Sequence, residues 1–161
     1  MNFTYRKATL NDLDMLVESR MEVLRTVYEL ADNVDMSELE WESREYYRTS
    51  LPNGDHIGYL IFDEDTFVGT GGVSFYKVMP TCDNPTGKKA FIMNMYTRQE
   101  YRRKGIASET LKLLLSDAKE RGITCIGLEA SEMGRALYIR FGFAPSDDEL
   151  HLTKSAIPSP R

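Results

Sequence analysis

Cysteine and histidine are scarce in this chain of 161 residues, with only two of each. Cys82 and Cys125 are too few and too far apart for a disulfide framework. The two histidines, His56 and His151, form no familiar zinc spacing with each other or with the cysteines, so no metal is expected. No apolar run approaches the roughly 20 residues that a membrane helix needs, so no membrane partner is expected. Met1 to Lys7 has no apolar signal-peptide core, which makes the cytoplasm the default compartment. Positive charge is not in excess either. Net charge is −5, and a nucleic-acid partner is not expected because phosphate backbones call for a basic surface. No internal repeat is apparent.

What is present is a soluble globular composition, 42% hydrophobic and 28% charged, in a chain of single-domain length. The expectation is one domain over residues 1–161 with a proper core. Phe3 to Lys7 alternates like a half-buried strand. Thr9-x-x-Asp12 can cap a helix whose buried stripe is Leu13, Leu16, Val17, Leu24 and Val27. Residues 29–45 are the most acidic stretch, and a second helix is expected from Met36 to about Tyr47. The acidic residues there are either a solvated helical face or a rim that attracts a cationic substrate. Leu51-Pro-Asn-Gly-Asp55 reads as a turn. Ile57–Phe62 and Phe67–Tyr76 read as strands joined by a tight hairpin.

Gly69, Gly71 and Gly72 do not make a dinucleotide loop, since Ser74 stands where a third glycine is needed and no helix follows. Strand glycines of this kind mark a bulge or a close backbone approach. A loop is expected from Lys77 to Lys89, long enough for a functional role. Farther on, the pattern predicts a strand over Ile123–Glu129, a short helix over Glu132–Arg140, a return to strand at Phe141–Phe143 and a last strand near Leu150–Thr153. Pro158 to Arg161 reads as a frayed tail. Helices alternating with strands late in the chain, with the hairpin in the middle, imply a mixed sheet flanked by helices, an α/β (α+β) class.

The chain is organised around residues 91–118. Phe91 to Thr97 reads as a buried strand, and Ile106, Ala107, Leu111, Leu114, Leu115 and Ala118 recur at helical spacing. Between them stand Arg102, Arg103, Lys104 and Gly105. A helix start exposes unpaired N–H groups and partial positive charge, so the cations and glycine beside it are either a site for phosphate or a solvated basic turn before an ordinary helix. Glycine lets the backbone come close to the anion.

Arg102-x-x-Gly105-x-Ala107 in this setting resembles the acyl-CoA pyrophosphate loop of the GCN5-related N-acetyltransferase (GNAT) family. Ala136-Leu-Tyr-Ile-Arg-Phe-Gly-Phe143 resembles that family's closing Leu-Tyr-x-x-x-Gly-Phe segment, and the two blocks stand in the expected order. The resemblance implies a mostly antiparallel mixed sheet with a splayed central strand and acetyl-CoA as cosubstrate. It places Met95, Tyr96 and Thr97 against the pantetheine arm through their backbones, with the Met95 amide as donor to the thioester carbonyl. The amides from Arg103 through Ile106 and Ala107 to Ser108, with the Arg102 and Lys104 side chains, would cradle the pyrophosphate. Tyr138 would protonate the leaving thiolate, because a phenol stays protonated at neutral pH.

Three positions depart from the family pattern. Ser131 and Gly134 replace the usual Asn and Ala before the tyrosine, and Gln99 replaces a proline. Ser131 can still hydrogen-bond the cofactor arm, and Arg135 would lie near a phosphate or in solvent. Glu129, Glu22 and a relay water are all candidates for the general base.

The implied reaction is direct acetyl transfer to a primary amine within a ternary complex. The acceptor is a small molecule or a peptide, with a polyamine-like or aminoglycoside-like cation among the candidates. A non-catalytic acyl-CoA sensor is the alternative, and an ATP-binding protein is disfavoured by the missing phosphate-loop lysine arrangement. A homodimer is the commonest oligomer and stays open here.

Overall fold

The structure is a computed structural model that describes residues 2–146 and 148–153. The chain divides into two compact units, residues 1–129 and 130–161.

The first unit is built on five strands in the order β1-β2-β3-β4-β5. They are β1 (Phe3–Lys7), β2 (His56–Asp63), β3 (Thr66–Lys77), β4 (Lys88–Thr97) and β5 (Cys125–Leu128). The first four pair antiparallel, and β5 joins β4 in parallel. The expected hairpin is a two-residue turn in which Glu64 takes a φ of +53°. Three helices accompany the sheet: α1 (Leu13–Val27), α2 (Ser37–Asn53) and α3 (Ile106–Glu120).

Successive strand residues face opposite sides of a sheet. A Cβ on Gly71 would point at Thr110 and Leu114 of α3, whereas one on Gly72 would strike the His56 ring. On Gly58 it would meet His56 and Leu16 of α1. Thus α3 covers one face, and α1 with α2 covers the other. The α1/α2 face is sealed by Ala8, Leu16, Val17, Tyr47, Leu60 and Phe62. On the other face, Leu111, Leu114 and Ala118 of α3 are fully buried. Asp117, also on α3, accepts hydrogen bonds from Lys7 Nζ at 2.6 Å and Tyr59 OH at 2.8 Å, tying the helix to β1 and β2.

Thr9 and Asp12 form the expected capping box, although the first turn is 3-10 and α1 proper starts at Leu13. Val27 departs from the expected stripe and is 58% exposed, because it lies in the last turn of α1. The expected turn at Leu51–Asp55 is instead the end of α2, which runs through Pro52 to Asn53 and stops at Gly54 in the left-handed region, φ +80°. A proline this near the C-terminus withholds only one helical hydrogen bond, and glycine supplies the termination.

The second unit contains α4 (Glu132–Arg140), with the boundaries the sequence predicts. The strand expected at Phe141–Phe143 is not formed. Gly142 turns with φ +95°, and the Phe143 N–H donates to the Tyr138 carbonyl at 3.1 Å, so this backbone is used in closing the helix. Residues 150–153 carry no strand, since they have no ladder partner among the described residues, and Leu150 is almost fully exposed. The expected tail at Pro158–Arg161 lies outside the described residues. Among the described residues, no helix is long and apolar enough to cross a membrane.

Candidate active site

The site begins with a break in the sheet. β4 pairs with β5 only from Lys89 to Ile92, yet continues to Thr97. From Met93 onward its β5 side therefore carries backbone groups outside that ladder. This corrects the expectation of a wholly buried strand: Ala90 and Ile92 are buried, but Met93 to Thr97 are only partly covered.

A bulge marks the same place. Thr70 pairs with Tyr96 and Gly72 with Met93, so Asn94 and Met95 together stand opposite Gly71. Asn94 adopts φ +57° to make the bulge, a conformation that asparagine tolerates better than most residues. Gly71 is required here, because a Cβ would lie 2.5 Å from Thr110 Cγ2 and 2.7 Å from Met95 Sδ. Met95 thus fills the space a side chain at position 71 would take, and the strand glycines mark a bulge and a close approach as expected.

The basic turn follows. Residues 99–101 make one 3-10 turn, Arg102 is extended, Arg103 has φ +60° and Gly105 has φ +84°. Ile106 then starts α3, and no side chain among the described residues caps that end. The first N–H groups of α3 lack intrahelical partners by geometry, and left-handed residues beside them make a concave, anion-accepting backbone. Arg102 Nε donates to the Thr97 carbonyl at 3.1 Å, bracing the turn against the end of β4. Lys104 Nζ sits 4.8 Å from the centre of the Tyr101 ring. Thr97 Oγ1 is buried with no hydrogen-bond partner among the described residues. The backbone of Met95, Tyr96 and Thr97 and the turn from Arg102 to Ser108 are therefore contiguous, and they fit an extended, phosphate-bearing cosubstrate. The unpaired Thr97 hydroxyl and the uncapped helix start are the observations that support this fit.

In the second unit, Ser131 Oγ caps α4 by accepting from the Gly134 N–H at 3.2 Å. Arg135 is exposed on the same helix. A Cβ at Gly134 would come within 3.0 Å of the Tyr138 ring, so glycine leaves room for that ring to lie back along α4. Tyr138 also meets Phe143 edge-to-face at 6.0 Å. Burial raises the Tyr138 pKa above its ordinary value and keeps the phenol protonated.

Of the candidate bases, Glu22 is already engaged. Its carboxylate takes two hydrogen bonds from Arg98, at 2.8 and 2.7 Å, and one from Tyr96 OH at 3.2 Å. The Arg98 hydrogen bond holds the Glu22 carboxyl below its ordinary pKa, the wrong direction for a base. Glu129 is exposed just beyond the end of β5.

Sequence reading missed a cavity of about 360 Å³ on the α1/α2 face, lined among others by Arg20, Glu42, Tyr46, His56, Ser74 and Asn94. Tyr46 OH lies 2.6 Å from Ser74 Oγ and 3.0 Å from His56 Nδ1. The His56 ring rests over Gly58 and Gly72, which face each other in the β2–β3 register. Burial, helped by the Arg20 charge, lowers the His56 pKa to about 4, so the ring is neutral at pH 7. The only sequence signal was period-two alternation placing His56, Gly58, Gly72 and Ser74 on one face.

Comparison with known proteins agrees with this architecture. Residues 20–143 match the model of the acetyltransferase (GNAT) family. A predicted acetyltransferase from Clostridium acetobutylicum, crystallised with acetyl-CoA, is 34% identical over 94% of this chain and 96% of its own, with a TM-score of 0.86. A GCN5-related N-acetyltransferase from Ralstonia eutropha JMP134 shares the fold at 22% identity, covering 94% of this chain and 99% of its own, with a TM-score of 0.81. Glucosamine-6-phosphate N-acetyltransferase from Arabidopsis thaliana shares it at 16% identity over 96% and 99% of the two chains, with a TM-score of 0.67. A search of curated proteins gives no match. The mixed sheet with helices on both faces, and a central strand that leaves its neighbour, has the fold of an acetyltransferase. This chain belongs to the GNAT acetyltransferase family.

Proposed function

We propose that residues 1–161 act as one cytoplasmic N-acetyltransferase domain, which transfers an acetyl group from acetyl-CoA to a primary amine of a small molecule or peptide. The observation that carries this reading is the continuity of the β4 edge past Ile92 with the uncapped start of α3.

The backbone of Met95, Tyr96 and Thr97 would hold the pantetheine arm, and the Met95 amide would donate to the thioester carbonyl as charge develops there. The amides from Arg103 to Ser108, with Arg102 and Lys104, would hold the pyrophosphate. Ser131 and Arg135 would be further contacts to the cosubstrate. When bound, acetyl-CoA supplies an acetyl group whose C–S bond breaks as the new N–C bond forms. Tyr138 gives its proton to the departing sulfur, and the proton lost by the amine leaves to a base or to water. The acid role rests on the place of Tyr138 in the closing motif: a phenol is protonated at neutral pH in any case, and the burial that raises its pKa makes it a more reluctant donor.

The test is thiol release from acetyl-CoA against a panel of amines, with CoA binding followed by calorimetry. Amine-dependent release is expected. Binding without release across the panel would favour a sensor, and no binding would overturn the reading. Tyr138→Phe is expected to lower turnover at least about tenfold while CoA binding survives, the small end of general-acid effects. Unchanged turnover with chemistry rate-limiting would remove Tyr138 from the role.

A further inference from the structure

The cavity on the α1/α2 face is lined by two opposite charges, Arg20 and Glu42, that form no ion pair with each other. Arg20, half-buried on α1, uses one N–H on Asn94 Oδ1 at 3.0 Å and forms no ion pair among the described residues. A guanidinium has five N–H donors, so most of its hydrogen-bonding capacity remains. Glu42, on α2, lines the same cavity and is likewise in no ion pair among the described residues. It is the one acidic residue of the stretch at residues 29–45 among the described residues of this lining. With His56 neutral, Arg20 is the one standing cation at pH 7 among the described residues that line the cavity. Asn94 sets Arg20 directly at the β4 bulge. Tyr46, Ser43 and Ser74 add hydroxyls, and Tyr47 and Met93 add apolar wall.

A purely cationic acceptor fits this arrangement poorly, because it brings a second positive charge towards Arg20 in a partly dry space. A zwitterion fits it. The planar guanidinium matches carboxylate and phosphate oxygens in pairs. We propose that this cavity is the acceptor site and that the acceptor is a small primary amine carrying an oxyanionic group, a carboxylate or a phosphate ester. Arg20 holds the oxyanion, and Glu42 draws in the ammonium end. A space of about 360 Å³ suits a molecule of amino-acid or amino-sugar size. The inference rests on the transferase reading given above.

The experiment compares amines that differ only in the anionic group. Each of several amino acids is set against its decarboxylated amine, and aminoalkyl phosphates against the matching amino alcohols. Polyamines and an aminoglycoside complete the panel. Acetyl transfer is measured for wild type, Arg20→Ala, Arg20→Gln and Arg20→Lys, with thermal unfolding as a folding control. Wild type is expected to favour the anionic member of a pair by about 30-fold or more in kcat/KM. Arg20→Ala and Arg20→Gln should collapse that ratio, mainly by raising KM for the anionic member, and Arg20→Lys should restore part of it. Whether the amino acids or the aminoalkyl phosphates gain more identifies the oxyanion.

Equal use of both members of every pair, or acetylation confined to polyamines and aminoglycosides, overturns the anion site while leaving the transferase reading intact. Absence of acetyl-CoA binding overturns the transferase reading itself. In that case, calorimetry with the same amino acids and phosphates still decides the cavity: binding that Arg20→Ala abolishes supports it, and no binding to wild type overturns it.

Discussion

A methyl group at position 71 has nowhere to go. The Thr110 Cγ2 and Met95 Sδ atoms that would meet it belong to a packed helix and to the bulged strand, and Leu114 Cδ1 stands 3.3 Å away. Gly71→Ala is expected to destabilise the protein by about 1–3 kcal/mol, the range for overpacking a filled core. A urea midpoint equal to wild type would show that Met95 can move aside at little cost. Glu22 teaches a related lesson about position. The sequence makes it a free carboxylate on a helix, whereas Arg98, 76 residues away, grips both of its oxygens. An ion pair between α1 and the end of β4 leaves no periodic trace in either segment, so it was illegible until the fold brought them together. Cys125 and Ser108, by contrast, fall in the strand and at the helix start where the local pattern put them.

The elements themselves were legible where one period ran unbroken. β4, the basic turn and α3 were readable because an apolar run, a glycine and a 3.6-residue stripe follow one another in 30 residues. The Asn94 bulge was not, since one inserted residue leaves an apolar run looking apolar. The strand expected at Phe141–Phe143 failed for a local reason: aromatic residues around a glycine suit a strand, but Gly142 closes α4 instead. The cavity was illegible for a different reason. His56 and Ser74 become neighbours only through the β2–β3 register, and Arg20 and Glu42 arrive on separate helices. At the start of α3, nothing crowds a Cβ on Gly105, so its φ of +84° is the sole constraint there. Gly105→Ala should therefore cost only about 1–2 kcal/mol of left-handed strain in stability. If the turn holds phosphate as proposed, the same change should weaken CoA binding by about tenfold or more, as the loop relaxes away from that geometry. Calorimetry with CoA that gives the wild-type affinity would separate the glycine from anion binding.

For the whole molecule, the buried groups make stability depend on pH in two stages. His56 is only 4% exposed, and burial together with the Arg20 charge lowers its pKa from 6.5 to about 4. The unfolded chain therefore takes up this proton first as pH falls, and stability drops between about pH 6.5 and pH 4. At about 1.4 kcal/mol per pH unit, that window is worth roughly 3 kcal/mol. The carboxylates act lower down. Asp12 is pushed up by burial but held below its ordinary range by hydrogen bonds from the Thr9 backbone and the Arg6 guanidinium, and Glu22 is held down chiefly by Arg98. Their contributions are present above the unfolded values of 3.8 and 4.5 and vanish as pH falls through the lower folded values. The decline near pH 5 is thus assigned to His56 rather than to acids. His56→Gln, which cannot titrate, should start from lower stability at pH 7, having lost the contacts with Tyr46 and the Gly58–Gly72 floor, yet stay nearly level down to about pH 5. Urea unfolding from pH 8 to pH 5 checks the assignment, provided the denaturant slope stays constant. A wild-type midpoint that does not fall over that range, or a variant that falls in parallel with it, would mean that His56 is not the buried neutral group on which the cavity's charge balance depends.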